Sequence, residues 1–398
     1  MRILISSIID LEKVAHNRLH EFIKYLIPNH EITVLSINDS WKANQSSSTL
    51  ANKELEKIFQ SININYITKR KTSPILQELA SKLFLPRILA RINYKTFDVH
   101  LNYNTLISGY LIAKELKSIG ICTVYDIADD LPAMVRTSPQ IPFVLRPLGG
   151  FIADIMIKKN ISLAHRVTFT TSSLKDHYHL GNKAIHIPNG VDAEMFKREP
   201  SEQLREELDI KHSFIIGYVG VLREWMDFEP IFAAVKQLIK EYTDIKILIV
   251  GEEGGLEKNK ALARRYGLSD KVIFIGTITY SRVSQYISCM DICLIPHKIN
   301  SVSEKMLPLK MFEYMACEKP VISAGSAGVK EAVQDRVLYA SSKEEYQDQI
   351  TLLYDNKELR EKMGLEGRQF AGKYYSWSCA ALELETVLIE AAGEPLKR

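Results

Sequence analysis

The chain has 398 residues, of which 46% are hydrophobic and 25% charged, as expected for a globular protein with more than one core. No apolar run reaches the ~18–20 residues that cross a bilayer, and the N-terminus lacks a signal-peptide pattern, so we expect a cytoplasmic protein. The five cysteines are odd in number and scattered, which argues against a disulfide framework or a zinc cluster.

The net charge of +3 is divided unevenly along the chain. Residues 1–200 contain 25 Lys+Arg and 18 Asp+Glu, and the totals of 51 and 48 leave 26 and 30 for residues 201–398. The first half therefore carries +7 and the second half −4. No compact basic and aromatic module accompanies this excess, so we expect an anionic membrane surface or a phosphorylated acceptor as partner, and no nucleic acid.

Short apolar runs alternate with helical patterns in the first half. RILISSI, EITVLSI, DVHLNY, CTVYDIA and HRVTFTT read as strands, and RLHEFIKYL, ISGYLIAKELKSI and GGFIADIMIKKNISLA read as the helices between them. Strands that are apolar on both faces and separated by helices are typical of parallel βαβ units.

Residues 76–95 combine leucines with the basic side chains of Lys82, Arg87 and Arg91 at helical spacing. We expect Pro86 to break this run. A basic amphipathic element that rests on anionic lipid is one interpretation. A domain-packing helix with a solvated basic face is the other.

The alternation restarts after residue 200, with FIIGYVG, KILIVG, VIFIG, DICLIP and PVISAG as strands. The two prolines and the Asn-Gly pair of residues 187–203 indicate a linker between the two series. The sequence therefore predicts two doubly wound, Rossmann-like α/β domains in tandem that face a central cleft.

Three glycines, Gly220, Gly251 and Gly276, each follow a strand of the second half. Ligands of open α/β sheets bind beyond the carboxyl ends of the strands, and glycine lets the backbone approach a phosphate there. None of the three completes a dinucleotide-binding motif, and an ordinary turn is the alternative for each of them taken singly.

The segment PLKMFEYMA places Lys310 in the first turn of a helix and Glu313 one turn later on the same face. A lysine in that turn opposes the helix dipole unless an anion lies there, and a carboxylate accepts hydrogen bonds from vicinal hydroxyls. This pattern fits a nucleotide diphosphate, with phosphates at Lys310 and ribose at Glu313. A surface Lys-Glu pair is the alternative.

Carboxylates follow the strand of VYDIADDLP, where Asp129 and Asp130 could bind acceptor hydroxyls or assist proton transfer. Capping of the next helix is the alternative for both. Asp227 and His297 are further candidates for the cleft.

The second half resembles glycosyltransferase family 4, whose members have the GT-B fold. IPNGVDAEMF is similar to the family's linker, VGVLREW to its glycine-rich phosphate loop, PLKMFEYMACEKPVI to its nucleotide-binding segment and YYSWSCAALELETVL to its closing helix. The variant with PHKIN, PLK and EYMA looks like a branch associated with polysaccharide and cell-surface glycan synthesis.

The resemblance implies an N-terminal acceptor domain of residues 1–197, completed by a helix at 376–398, and a nucleotide-sugar domain of residues 198–375. It also implies a hexosyltransferase of class EC 2.4 that retains anomeric configuration and needs no metal or other cofactor. The sugar would pass from a nucleotide diphosphate to a glycan, lipid-linked or polysaccharide acceptor, peripherally at the inner membrane face. Positive charge and backbone N–H groups would stabilise the leaving diphosphate.

The chain departs from the family at the phosphate and sugar contacts. Val221 and approximately Met226 stand where the family has arginine and lysine. We therefore expect Arg223 and Lys310 to supply the positive charge for catalysis, and Asp129 to be the third catalytic residue. Lys305 stands where the family has its first glutamate. The expected nucleotide-sugar contacts are therefore Gly220, Val221, Gly251, Gly276, Glu304, Lys305, Leu309, Lys310 and Glu313.

These departures keep two other functions open. A catalytically silent subunit that activates a partner transferase would explain the missing loop cations. A nucleotide-sugar epimerase of similar architecture is a third hypothesis, with no catalytic constellation to support it.

Overall fold

The computed structural model describes residues 1–13, 16–38, 58–68, 72–138, 141–223, 225–251 and 255–393. The chain divides into two compact units. The first unit contains Met1–Pro188 and Ser378–Arg398, and the second contains Asn189–Trp377. The boundary predicted from the sequence, after residue 197, lies further along the chain. Residues 394–398 of the predicted closing helix lie outside the described residues.

The first unit is built on a parallel sheet. Its strands are β1 Arg2–Ser7, β2 Glu31–Ser36, β3 Asn63–Tyr66, β4 Val99–Tyr103, β5 Cys122–Ile127, β6 Arg166–Phe169 and β7 Ala184–His186. They lie in the order β3-β2-β1-β4-β5-β6-β7. The helices between them are α1 Arg18–Leu26, α2 Pro74–Arg91, α3 Ile107–Ser118, α4 Leu131–Thr137, α5 Arg146–Leu163 and α6 Ser172–His177.

Helix α2 differs from the sequence prediction because it continues through Pro86. The side chain of Pro86 is exposed, so water can reach the carbonyl that loses its helical hydrogen bond. Leu85 and Leu89, on either side of Pro86 in sequence, are buried in the core of the first unit. Burial of these leucines therefore maintains the helix across the proline.

The second unit contains another parallel sheet. Its strands are β8 Phe214–Val219, β9 Ile245–Val250, β10 Val272–Gly276, β11 Ile292–Ile295, β12 Val321–Ser323 and β13 Leu338–Tyr339, in the order β10-β9-β8-β11-β12-β13. Its helices are α7 Glu202–Glu207, α8 Glu229–Leu238, α9 Leu256–Tyr266, α10 Val283–Ser288, α11 Leu309–Ala316, α12 Ala327–Val333, α13 Lys343–Asp355, α14 Lys357–Tyr374 and α15 Trp377–Gly393, the last mostly belonging to the first unit. Two apolar clusters form the core of this unit.

These sheets confirm the prediction of two doubly wound α/β domains. Strand β8 lies inside the second sheet, with β9 and β10 on one side of it and β11 on the other. The loops that follow these strands therefore meet at one edge, where a ligand of an open α/β sheet binds. Among the described residues, no helix combines the length and apolarity needed to cross a membrane.

Candidate functional site

Backbone without side chains forms the floor of the candidate site in the second unit. Gly220 and Gly251 follow β8 and β9, Gly276 is the last residue of β10, and all three have positive φ, of 141°, 127° and 77°. The Gly251 N–H donates to the Gly276 carbonyl at 2.8 Å. A Cβ on Gly251 would lie 2.1 Å from the Gly220 carbonyl oxygen. Since no side chain fits there, glycine is required for the close packing of these loops and is more than a local turn residue.

Helix α11 brings Lys310 to this floor. Its Nζ donates a hydrogen bond to Tyr218 Oη at 2.7 Å and lies 4.2 Å from the centre of that ring. A Cβ on Gly220 would lie 2.5 Å from the same Nζ. The buried Tyr218 in turn donates to the Val221 carbonyl at 2.8 Å. One hydroxyl therefore connects the helix cation to the glycine loop.

The surroundings of Lys310 lower its pKa. Burial lowers the pKa of Lys310 to about 8; the carboxylate of Glu313 opposes this change, and the cation of Arg223 adds to it. Arg223 is itself exposed, directly after the loop, with its N–H donating to the Val221 carbonyl at 3.0 Å. Two predicted cations are thus close enough to influence each other, and an anion between them would relieve their repulsion.

Glu313 lies one turn further along α11 and is partly buried. Tyr280 Oη donates to its Oε1 at 3.2 Å. The neighbouring Tyr314 fixes the helix to the end of β8, because its hydroxyl accepts from the Val219 N–H at 2.8 Å and donates to the Val219 carbonyl at 3.2 Å. Leu309, before Lys310, is half-buried. The hydrogen bonds of Tyr314 set the position of Glu313 relative to the glycine loop.

The loop after β11 pairs with the segment after the glycine loop. Met226 and His297 form an antiparallel bridge, and the Lys298 N–H donates to the Trp225 carbonyl at 2.7 Å. Burial, and then the charge of Lys310, lowers the pKa of His297 to about 3, so its imidazole is neutral. Asp227 accepts from the Glu229 N–H at 3.3 Å and lies 4.0 Å from Lys298 Nζ. Asp227 thus accepts from the first N–H of α8, whose N-cap residue is Phe228.

Glu304 and Lys305 belong to a short 3₁₀ turn before α11. Glu304 Oε1 accepts from the Ala327 N–H at 3.2 Å, whereas its Oε2 is buried without a hydrogen-bond partner among the described residues. The Ser326 hydroxyl is also buried and has no hydrogen-bond partner in the part of the chain that the structure describes. Lys305 is half-buried. The carboxylate near the predicted sugar position is therefore that of Glu304.

The first unit contains a separate cluster of carboxylates at the end of β5. Arg18 makes two hydrogen bonds of 3.1 Å to Asp126. Asp130 caps α4 by accepting from the Ala133 N–H at 3.2 Å, and it also accepts from Tyr178 Oη at 2.8 Å. The capping alternative therefore describes Asp130.

Asp129 differs from its two acidic neighbours. Burial raises its pKa to about 6, which Arg18 opposes and Asp126 and Asp130 reinforce. A carboxyl group of this kind can exchange a proton near neutral pH. Among the residues described in both units, no group of three or more His, Cys, Asp and Glu side chains is placed to hold a metal ion.

Sequence reasoning missed both Tyr218 and Tyr314. Tyr218 is the single polar side chain near the end of the apolar run FIIGYV, and Tyr314 directly follows Glu313. Buried tyrosine hydroxyls require partners, so these two positions carried a signal. The identity of the partners depends on the packing of α11 against β8, which spacing along the chain does not give.

The fold is similar to that of solved structures that cover nearly the whole chain. The structure of HepE from Anabaena in complex with UDP has a TM-score of 0.75 at 16% identity, covering 98% of this chain and 100% of that one. A sequence model described as "Glycosyl transferases group 1" matches residues 200–370. The matched residues contain the glycine floor, Lys310 and Glu313.

Curated relatives match about half of the chain. The D-inositol 3-phosphate glycosyltransferase of Segniliparus rotundus is 26% identical over 204 residues, which is 49% of this chain and 44% of that protein. A GDP-mannose-dependent alpha-(1-6)-phosphatidylinositol monomannoside mannosyltransferase of Mycobacterium tuberculosis is 22% identical over 211 residues, 51% of this chain and 55% of that protein. The chain thus matches about half the length of these relatives.

Proposed function

We propose that the protein transfers a hexosyl group, with retention of configuration, from a nucleotide diphosphate to a glycan, lipid-linked or polysaccharide acceptor. The observation that carries the proposal is the arrangement at the end of β8. There the ammonium of Lys310 lies under the glycine loop, 2.7 Å from Tyr218 Oη, and Glu313 follows one helical turn later. We place the reaction in the cytoplasm, peripherally at the inner membrane face.

The diphosphate is the part of the donor that this arrangement explains most directly. A buried ammonium with a lowered pKa is costly, and a phosphate oxygen beside it would offset that cost. Gly220 leaves room for the phosphate and Arg223 adds a second positive charge. As the bond to the sugar breaks, negative charge grows on the diphosphate, and these cations stabilise it. No metal or further cofactor is required by this scheme.

The ribose is assigned to Glu313. Its carboxylate can accept hydrogen bonds from two vicinal hydroxyls, and Tyr280 holds one of its oxygens at 3.2 Å. The loops of Gly251 and Gly276, beside Gly220, complete the backbone surface on which the nucleotide would rest.

The donor sugar is assigned to the turn before α11. Glu304 presents a buried carboxylate oxygen that has no hydrogen-bond partner among the described residues, and the Ser326 hydroxyl has none there either. Leaving buried polar atoms unpaired is costly, and sugar hydroxyls would satisfy them. Lys305 and the neutral His297 are the other groups we expect near the sugar.

Asp129 is our candidate for the acceptor side. A pKa of about 6 lets its carboxylate accept a proton from an acceptor hydroxyl near neutral pH and release it afterwards. Asp130 and Asp227 are less suited to this role because Asp130 caps α4 and Asp227 accepts from the first N–H of α8.

The names of similar proteins suggest which donors to test first. The HepE structures include complexes with UDP and with UDP-glucose, and the mycobacterial relative is described as GDP-mannose-dependent. Calorimetric titration with UDP and GDP should show binding of at least one. Replacing Glu313→Ala should weaken it at least ~tenfold, since a hydrogen bond to a charged group contributes about 1.5–3 kcal/mol.

The matched control is Glu366→Ala, which removes an exposed carboxylate of α14. This variant should bind the nucleotide like the unchanged protein. Failure of both nucleotides to bind, or equal affinity in Glu313→Ala, would refute the proposed donor site.

A silent partner subunit is the second candidate function. It is favoured by Met226, which is buried and bridged to His297 and so offers no charge where the family has a cation. Sugar transfer or slow donor hydrolysis by the purified protein alone would exclude this role. Nucleotide binding with no turnover on any acceptor would support it.

A further inference from the structure

The outer surface of α5 and the turn before it is apolar, which is unusual for a surface helix. Phe143 and Val144 in the turn are 79% and 80% exposed, and Phe151 in the helix is 59% exposed. Leu145, Leu148 and Ile155 are also exposed. We call these six residues the 143–155 patch. Large side chains concentrated in this way on a monomer mark a surface that contacts something apolar.

Helical spacing explains why the patch is continuous. Leu148, Phe151 and Ile155 are separated by three and four residues, so they lie on one face of α5. Ala153 and Ile157, on the other face, are buried against the rest of the unit. The helix is therefore apolar on both sides, and burial inside its own unit accounts for only one of them.

The patch continues into basic charge. Lys158 and Lys159 are exposed at the next turn of the same face. At its other end, the Arg146 guanidinium lies 5.7 Å from the centre of the Phe143 ring. The acid of α5, Asp154, is paired with Arg136. Apolar side chains rimmed by cations are the arrangement that binds an anionic interface.

The surrounding helices extend this charge. Helix α2 packs on α3 and α3 on α5, so the three form one layer. Their sequences contain eight Lys and Arg and three Asp and Glu, an excess of +5. One of the acids, Glu78, is buried, where it accepts from the Ser108 N–H at 2.8 Å. The outer face of α2 also exposes Leu79 and Leu83 beside its basic residues.

We propose that the 143–155 patch inserts into the interface of an anionic bilayer, while the cations of α2, α3 and α5 contact the lipid headgroups. The proposal rests on the proposed function, because a lipid-linked acceptor would be met at such a surface. A second copy of the chain fits this face less well, since two such layers would bring like charges together. Helix α2, whose basic side chains were noted in the sequence, then lies at one edge of the contact. The apolar side chains that enter the bilayer are those of the 143–155 patch.

Vesicle co-sedimentation tests the surface directly. The unchanged protein should bind phosphatidylcholine vesicles that contain about one third phosphatidylglycerol, and should bind pure phosphatidylcholine much less. Replacing Phe143, Val144 and Phe151 together by Ser should reduce the binding to anionic vesicles at least ~tenfold, because apolar area no longer enters the interface. Lys158→Glu with Lys159→Glu should reduce binding and weaken its salt dependence.

The matched control replaces Leu382 and Ile389, two exposed apolar residues of α15, by Ser. This variant should bind vesicles like the unchanged protein. Vesicle binding that is equal in the patch and control variants, or absent throughout, would overturn the proposal. So would a dimer in sedimentation analysis that the patch variant dissociates.

Nucleotide titration of the same variants in vesicle-free buffer distinguishes a failure of the membrane proposal from a failure of the proposed donor site. If UDP or GDP binds normally but vesicles do not, the membrane surface is wrong and the donor site stands. If vesicles bind and no nucleotide does, the surface stands and the donor site fails.

Discussion

Replacing Lys310→Met should change stability and donor binding in opposite directions. The folded protein keeps this ammonium partly buried beneath the glycine loop, where burial lowers its pKa from 10.5 to about 8. At about 1.4 kcal/mol for each tenfold change in proton affinity, the charge costs the free protein up to ~3 kcal/mol at pH 7. An uncharged side chain of similar length removes this cost.

The sign of the pH dependence follows from the same change in pKa. Between about pH 8 and 10.5 the unfolded chain holds the Lys310 proton and the folded chain does not. The free energy of unfolding of the unchanged protein should therefore rise with pH across this window. Below pH 8 both states are charged and the full cost remains. Lys310→Met should be more stable by ~1–3 kcal/mol at pH 7, after allowance for its lost contacts with Tyr218.

Denaturant unfolding at pH 7 measures the stability change, and calorimetry measures the affinity for UDP and GDP. Lys310→Met should lose at least ~tenfold in nucleotide affinity, since it removes a hydrogen-bonded charge from the phosphate position. At pH 8.5, binding to the unchanged protein should take up more than about half a proton, because an adjacent diphosphate restores the pKa of Lys310. Titrations in buffers of different ionisation enthalpy measure this uptake.

Tyr218→Phe is the matched control, since it keeps the ring under the ammonium and removes the hydroxyl bonded to it. It should keep the proton uptake and lose less affinity than Lys310→Met. If Lys310→Met is destabilised and binds the nucleotide unchanged, the lysine is a structural residue and the reasoning fails.

Three other substitutions test neighbouring parts of the account. Gly220→Ala should abolish measurable nucleotide binding, because its Cβ would lie 2.5 Å from Lys310 Nζ, and circular dichroism should still show a folded chain. Asp129→Asn should remove the acidic limb of kcat/KM, which in the unchanged enzyme falls below about pH 6 as the carboxylate is protonated; an unchanged limb would exclude Asp129 as the titrating group. Since the pKa of Asp129 is raised in the folded state, Asp129→Asn should also remove a loss of stability as the pH rises from about 4 to 6. Glu318→Gly should raise the free energy of unfolding by up to ~1 kcal/mol, because Glu318 has a φ of 58° and its ion-pair distances of 3.8 and 3.9 Å are long; a lower stability would mean that those pairs outweigh the strain.

The alternation of apolar runs and helical patterns was sufficient to predict five strands of each sheet, whereas the short strands β3, β7 and β13 were not predicted. Nine of these ten strands, all but β10, are buried on both faces, so the signal is strong and local. The position of Lys310 in the first turn of a short helix, with Glu313 one turn later, was likewise a local pattern. Its relation to the glycine loop could be expected from the rule that loops after parallel strands meet at one edge.

Features that depend on packing between distant segments could not be predicted in this way. The hydroxyl that links Lys310 to Val221 belongs to Tyr218, which is 92 residues from Lys310 in sequence. The contacts of Asp130 and Asp227 with the first turns of α4 and α8 depend on where these helices begin. The patch on α5 was hidden because an apolar helix reads the same whichever of its faces is buried. Pro86 was misjudged because the exposure of its side chain was not known.

A crystal structure with UDP or GDP, whichever binds, tests the central claim most directly. We expect the diphosphate at the Gly220 loop, within hydrogen-bond distance of Lys310 Nζ, and the ribose hydroxyls on Glu313. A nucleotide bound elsewhere, or one that leaves both side chains without contact, would contradict it.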